Sequence, residues 1–285
     1  MEHVRWISRP ALHRPVVIAA FEGWNDAGDA ASTAARWLRG RWAPDPMAEI
    51  DPEDFFDFTT TRPQVVLTDG VTREIEWPST ELTSGSGAGV DTVVVVGTEP
   101  QLRWRTFADQ VVAVAEQLDA RLVLTLGALL AEVPHTRPTS IIGTSVDDEL
   151  IERHELRRSS YEGPTGIVGV LQDRCTAAGI PGASLWAAVP AYVPGAPSPK
   201  AALALVERTA ELLAVPVTVT DLEIAAASYE RQVTEVVVDD EEMTEYVTRL
   251  EARYAAQEAG GTGDELPSAA SLVDEVERFL REQRD

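Results

Sequence analysis

Three short stretches of the 285-residue chain gather side chains able to do chemistry. In the first, Glu22, Gly23, Trp24, Asn25 and Asp26 follow the apolar run VVIAA and precede a helical pattern of small residues. Asn25 or Asp26 can cap that helix, and the amides at its start can hold an anion. A turn between strand and helix needs only a glycine and a cap, so Glu22 and Trp24 are surplus to it. In the second, Pro134-His135-Thr136-Arg137-Pro138, the guanidinium can clamp a carboxylate or phosphate and the imidazole can move a proton. Equally, Arg137 can be an internal strut paired with Glu22 or Asp26. In the third, PAYVPGAPSPKAA, Ser198 reads as an N-cap, Pro199 as the first helical residue and Lys200 as the next. A cation in a first turn opposes the helix dipole at a cost of about 0.3–1 kcal/mol. Such a broken local rule points to a function or to nearby carboxylates.

Lys200 is also the sole lysine among 24 basic residues, the rest being arginine. Tyr161 stands before GPTG, a sharp turn into the next helix whose glycines and proline are explained by turn geometry alone. No Ser-His-Asp order, GxSxG elbow, P-loop or metal triad occurs. The four histidines lack ligand spacing, so neither a metal nor a cofactor is expected. The single cysteine, Cys175, lies in a helical pattern and reads as a packed thiol.

These stretches need a scaffold that brings strand ends together. Short β-rich runs at 16–20, 65–68, 92–97, 122–126, 140–144 and 184–189 alternate with helical patterns at 26–39, 102–118, 147–157, 167–178 and 199–214. That alternation predicts a mostly parallel sheet covered by helices in a three-layer α/β/α arrangement. Ligands in such folds bind beyond the carboxyl ends of the strands, where all three polar stretches fall. The segment between the first helix and the run at 92–97 predicts an inserted hairpin or strand pair with alternating residues from Val65 to Trp77. SGSGAG, residues 84–89, precedes a strand where a nucleotide fingerprint would follow one, and reads as a flexible linker.

Beyond residue 218 the pattern changes. Leu222, Ala226, Tyr229, Val233 and Val236, then Met243, Tyr246, Val247, Leu250 and Tyr254, form two apolar stripes at helical spacing. A Gly-rich linker leads to a last amphipathic pattern at 268–281. The expected organisation is a core of residues 1–218 with an acidic helical extension at 219–285. A net charge of −23 opposes binding to nucleic acid or anionic lipid and leaves a protein partner or self-association. No apolar run reaches the ~18 residues of a membrane span, so a cytoplasmic protein is expected.

Taken together, FEGWNDAGDAA, EIDPEDFFDF followed by RP, REIEWP, PHTRP, YEGPTGIVGVL, SLWAAVPAYV and SPKAALAL resemble the proteasome assembly chaperone family. The likeness is to the second-chaperone type, in its actinobacterial branch, and runs in order from about residue 16 to 213. It implies a core similar to nucleoside phosphorylases and hydrolases that serves as an assembly scaffold, with trimer-like or other oligomeric association. Some archaeal relatives dock on the proteasome through a hydrophobic-Tyr-X tail; EQRD at the end of this sequence lacks it. The leading expectation is a noncatalytic protein-binding scaffold. The alternative is a binder or enzyme acting on nucleoside-like or phosphate-containing ligands at a pocket of Glu22, Trp24, His135, Arg137 and Lys200.

Overall fold

The structure, a computed structural model, describes residues 2–259. Its strands are β1 (Val4–Trp6), β2 (Val16–Glu22), β3 (Asp45–Ile50), β4 (Gln64–Thr68), β5 (Thr72–Glu76), β6 (Thr80–Gly85), β7 (Thr92–Thr98), β8 (Leu122–Ala131), β9 (Ile141–Ser145) and β10 (Gly182–Pro190). Its helices are α1 (Ala30–Trp42), α2 (Trp104–Gln117), α3 (Asp148–His154), α4 (Ile167–Ala177), α5 (Pro199–Leu212), α6 (Thr220–Val238) and α7 (Glu241–Ala259). Eight strands form one sheet in the order β1-β3-β6-β7-β2-β8-β10-β9, and β4 and β5 form a separate two-stranded ribbon. This is an α/β fold. The chain divides into two compact units, one comprising Met1–Trp24, Ala35–Thr125 and Thr165–Gly182, the other Asn25–Ala34, Leu126–Pro164 and Ala183–Asp285.

In the first unit, β2 is buried from Val16 to Phe21 on both faces, which is why it reads as a continuous apolar run. It pairs in parallel with β7, Val16 opposite Thr92 through Glu22 opposite Thr98, and with β8 from Val16 opposite Leu122 to Ala19 opposite Thr125. Outward from β7 the pairing turns antiparallel, through β6 and β3 to β1. The sequence reading missed these three strands, because DPMAEI and TELTSG mix polar with apolar residues and VRW is only three residues long. Ser84 and Gly85 of SGSGAG belong to β6 and are not a linker. A Cβ on Gly85 would meet Trp42 O at 2.6 Å, and one on Gly87 would meet Arg41 O at 2.2 Å, so close backbone packing selects both glycines. Helix α4 packs against α2 and β2. The predicted hairpin is the ribbon, with Val65 opposite Ile75 and Leu67 opposite Arg73.

In the second unit, β9 runs antiparallel to β10, with Ala183 opposite Ser145 and Ala187 opposite Ile141. A Cβ on Gly127 of β8 would lie 2.5 Å from the Trp186 ring, so the ring takes the space that a side chain there would fill. Helix α5 starts as its sequence dictates: Ser198 Oγ accepts from Ala201 N at 3.4 Å, and Pro199 is the first helical residue. Helix α6 packs along α5, and α7 packs on α6. Their shared core joins Tyr229, Val233 and Val237 of α6 to Val247 of α7, with Tyr192 and Val193 against it. The predicted pattern at 268–281 lies outside the described residues.

Candidate functional site

Lys200 sits in the first turn of α5 because Ser198 and Pro199 start the helix just before it. Its ammonium is turned back onto two acceptors: Nζ donates to the His135 carbonyl at 2.5 Å and pairs with the Glu230 carboxylate of α6. The side chain is only 17% exposed, so the rule broken against the helix dipole is offset by a carboxylate and a carbonyl. Nearby carboxylate chemistry therefore accounts for the lone lysine.

His135, 3% exposed, lies in the turn after β8 and is held at three points. Its backbone N–H donates to Tyr192 Oη at 2.7 Å, its Nδ1 lies 2.7 Å from the same oxygen, and its Nε2 lies 2.9 Å from Thr234 Oγ1 on α6. Burial holds the imidazole below its ordinary pKa, with Lys200 adding to the effect and Glu230 and Glu251 opposing it. Burial likewise pushes the Tyr192 phenol upward. Beside it, Thr136 Oγ1 donates to Glu251 of α7, and Arg253 donates to Glu132 Oε2 at 3.0 Å and to the Glu132 carbonyl at 2.8 Å. Arg137 lies with its guanidinium carbon 5.8 Å from the Tyr254 ring centre, within cation–π range, and its Nε has no hydrogen-bond partner.

The cavity bordered by His135, Arg137, Ser198, Lys200 and Tyr229 has a volume of about 10 Å³. That is the room of roughly one water molecule. A nucleoside or sugar phosphate does not fit. What the arrangement does chemically is join the 132–137 turn, α5, α6 and α7 by charge-assisted and neutral hydrogen bonds.

Asn25 and Asp26, in the same unit, have a different task. Asp26 Oδ1 accepts from Ala31 N at 2.7 Å and Ser32 N at 3.1 Å, capping α1 across the short 3₁₀ turn at Ala27–Asp29. Its carboxyl is buried and held above the ordinary range by desolvation, which those bonds and a Ser32 side-chain bond oppose. Asn25 is buried, and its carbonyl accepts from Ala128 N at 2.8 Å. Tyr161 donates to the Pro164 carbonyl at 2.9 Å and so closes its own turn.

Glu22, Gly23 and Trp24 belong to the first unit. Glu22 is bound by Arg36 and by Thr98 Oγ1 at 3.1 Å, Gly23 has φ of 121°, and Trp24 is 51% exposed. The two carboxylates weighed as partners for Arg137 are thus engaged with Arg36, Thr98, Ala31 and Ser32. Sequence reasoning missed Glu99, which accepts from Ile167 N at 2.8 Å at the start of α4. It also missed Tyr192, Glu230, Thr234 and Glu251. Tyr192 stands inside the quoted loop, and Glu230 and Thr234 share one helix face at i, i+4, which is the signal that was available.

The sequence matches the PAC2 family over residues 20–237. A PAC2 family protein of Streptomyces avermitilis is 45% identical, covering 82% of this chain and 99% of that chain, with a TM-score of 0.75. The proteasome-assembly chaperone homologue of Mycobacterium tuberculosis is 46% identical, over 81% of this chain and 99% of that one, with a TM-score of 0.74. An archaeal proteasome activator of Pyrococcus furiosus shares the fold at 18% identity, covering 82% and 97%, with a TM-score of 0.66. No curated protein matches the chain. Matched over most of its length, the chain belongs to the PAC2 family.

Proposed function

We propose that the chain is a protein-binding scaffold of the proteasome-assembly-chaperone kind, working by association and not by turnover of a small molecule. The observation that carries this reading is the cavity of about 10 Å³ beside His135, Arg137 and Lys200, where the residues with most chemical promise are committed to holding helices together. Family membership supports the same reading, as does the 46% identity to the Mycobacterium tuberculosis proteasome-assembly chaperone homologue. The partner class is proteasome subunits, and the scaffold is proposed to act as a homo-oligomer in the cytoplasm. Among the described residues no helix is long and apolar enough to cross a membrane.

The test is reconstitution. Proteasome α and β subunits from the same organism are mixed with and without the purified chain, and intermediates are followed by native mass spectrometry. The reading expects a complex between this chain and free subunits or half-assembled particles, and faster appearance of the full particle. No complex and an unchanged assembly rate would overturn it. The same spectra of the chain alone give its oligomer number.

A further inference from the structure

The hydrogen-bond chain through His135 has a single consistent direction. Tyr192 Oη receives the His135 backbone N–H, a donor that cannot reverse. Thr234 Oγ1 spends its one proton on the Glu230 carbonyl, so Nε2 is the donor to Thr234 and, in the neutral ring, Nδ1 is left to accept the Tyr192 proton, 2.7 Å away. The neutral imidazole therefore carries its proton on Nε2 and donates it to Thr234 Oγ1. Thr234 in turn donates to the Glu230 carbonyl at 2.8 Å. Every link has one proton, and α6 is tied to the 134–137 turn through Thr234.

A second proton on the ring would go to Nδ1 and break this order. The Tyr192 hydroxyl proton would then lose Nδ1 as its acceptor, while Nε2–H would keep its bond to Thr234. The groups around the ring come from every packed element. Lys200 of α5, Glu230 of α6 and Glu251 of α7 act on the ring itself, Tyr229 of α6 and Tyr246 of α7 act on its partner Tyr192, and Glu132 and Arg137 of the same turn are engaged by Arg253 and Tyr254 of α7. Glu230 and Glu251 favour an imidazolium, but Glu230 is already paired with Lys200 and Glu251 accepts from Thr136. Burial and the Lys200 ammonium oppose it.

We infer that His135 is a proton-operated latch: neutral, it holds Tyr192 against the core shared by α6 and α7, and on protonation it releases Tyr192 and so loosens both helices while the sheet stays folded and Nε2 keeps its bond to Thr234. The linkage has a definite sign. Because the folded form disfavours the imidazolium, the contribution of His135 to holding the helices is complete above the ordinary histidine value of about 6.5. It is lost as pH falls from there toward the lowered folded value.

The experiment is amide hydrogen exchange on the full chain at about pH 7.5 and about pH 5, corrected for intrinsic rates. Protection of 220–238 and 241–256 is expected to fall by about fivefold or more, the equivalent of one hydrogen bond's net contribution, while 182–190 and 199–212 hold theirs. His135→Gln should lower protection at both pH values and abolish the difference between them. Equal pH dependence in His135→Gln, or none in the wild type, overturns the latch. A ring titration of wild-type His135 by NMR stands independently of how that variant folds, since a value at or above about 6.5 also overturns it. Thr234→Val should loosen 220–238 at neutral pH, and unchanged protection there would count against the link through Nε2.

Discussion

On the β4–β5 ribbon, Leu67 is 60% exposed and Val71 82%, whereas on α6 the residues Val233 and Val237 are each 5% exposed. Both regions depart from plain strand–helix alternation, and both carry apolar residues at the period of their own secondary structure. Val65, Leu67 and Ile75 share one ribbon face, with Arg73 the charge among them, while Glu74 and Glu76 take the other. On α6 the stripe from Leu222 to Val237 faces buried neighbours, and Ile224, Val236 and Val238 face outward. Periodicity thus tells which residues share a face for most of each element, but at the end of α6 it picks Val236, which is 56% exposed, where the buried residue is its neighbour Val237, four positions after Val233. Whether a second element covers that face is decided elsewhere in the chain, by α5, α7 and the turn around Tyr192 for α6, and by no described element over the exposed ribbon face.

The contrast can be broken or sharpened by substitution. Tyr229 is 6% exposed at the centre of the helical core, so Tyr229→Ala is expected to cost about 3–5 kcal/mol in urea unfolding. A loss below 1 kcal/mol would mean that α6 is not held by burial. Next comes Lys200→Ala, which removes two hydrogen bonds and leaves the Glu230 carboxylate without its cation. The expected loss is about 1–3 kcal/mol, and hydrogen exchange should place it in α6.

The third effect is a pH slope. Because burial raises the Asp26 carboxyl above its ordinary range, folding favours its protonated form. The stability tied to this group is present below about pH 4 and is lost as pH rises through the raised folded value. Asn can keep the oxygen that accepts from Ala31 and Ser32 but carries no charge. Asp26→Asn should therefore gain on the wild type as pH rises through the acid range, and parallel stability curves would refute this. The sign is opposite to that of His135. Smallest of all, Leu67→Thr and Ile75→Thr on the open ribbon face should change stability by less than about 0.5 kcal/mol. A larger loss would show that this face is covered.

Much of the scaffold was legible from local pattern. β2 and β7 are buried on both faces and announce themselves as unbroken apolar runs. The start of α5 was readable to the residue, because Ser198-Pro199 is a capping signal that acts within four positions. Strands β3 and β6 were not readable, since their Pro, Glu, Thr and Ser side chains match no clean alternation. The same limit governs the polar cluster. Lys200 declared itself by opposing the helix dipole, but its partner Glu230 lies 30 residues further on, and Thr234 lies 99 residues from His135. Nor did local pattern show that Glu22 pairs with Arg36, 14 residues away, and that Glu99 serves α4, 68 residues away. Side-chain type named the groups with chemical capacity, and long-range packing assigned their work.

The central claim is that the Lys200–His135–Glu230 cluster fastens helices and leaves no room for a ligand between His135, Arg137 and Lys200. Thermal unfolding of the full chain with saturating nucleosides, inorganic phosphate and ribose phosphates tests it most directly, because a ligand bound to the folded form raises the melting temperature by mass action. The account predicts an unchanged melting temperature with every compound. A rise of several degrees with one of them, lost in Lys200→Ala, would contradict it.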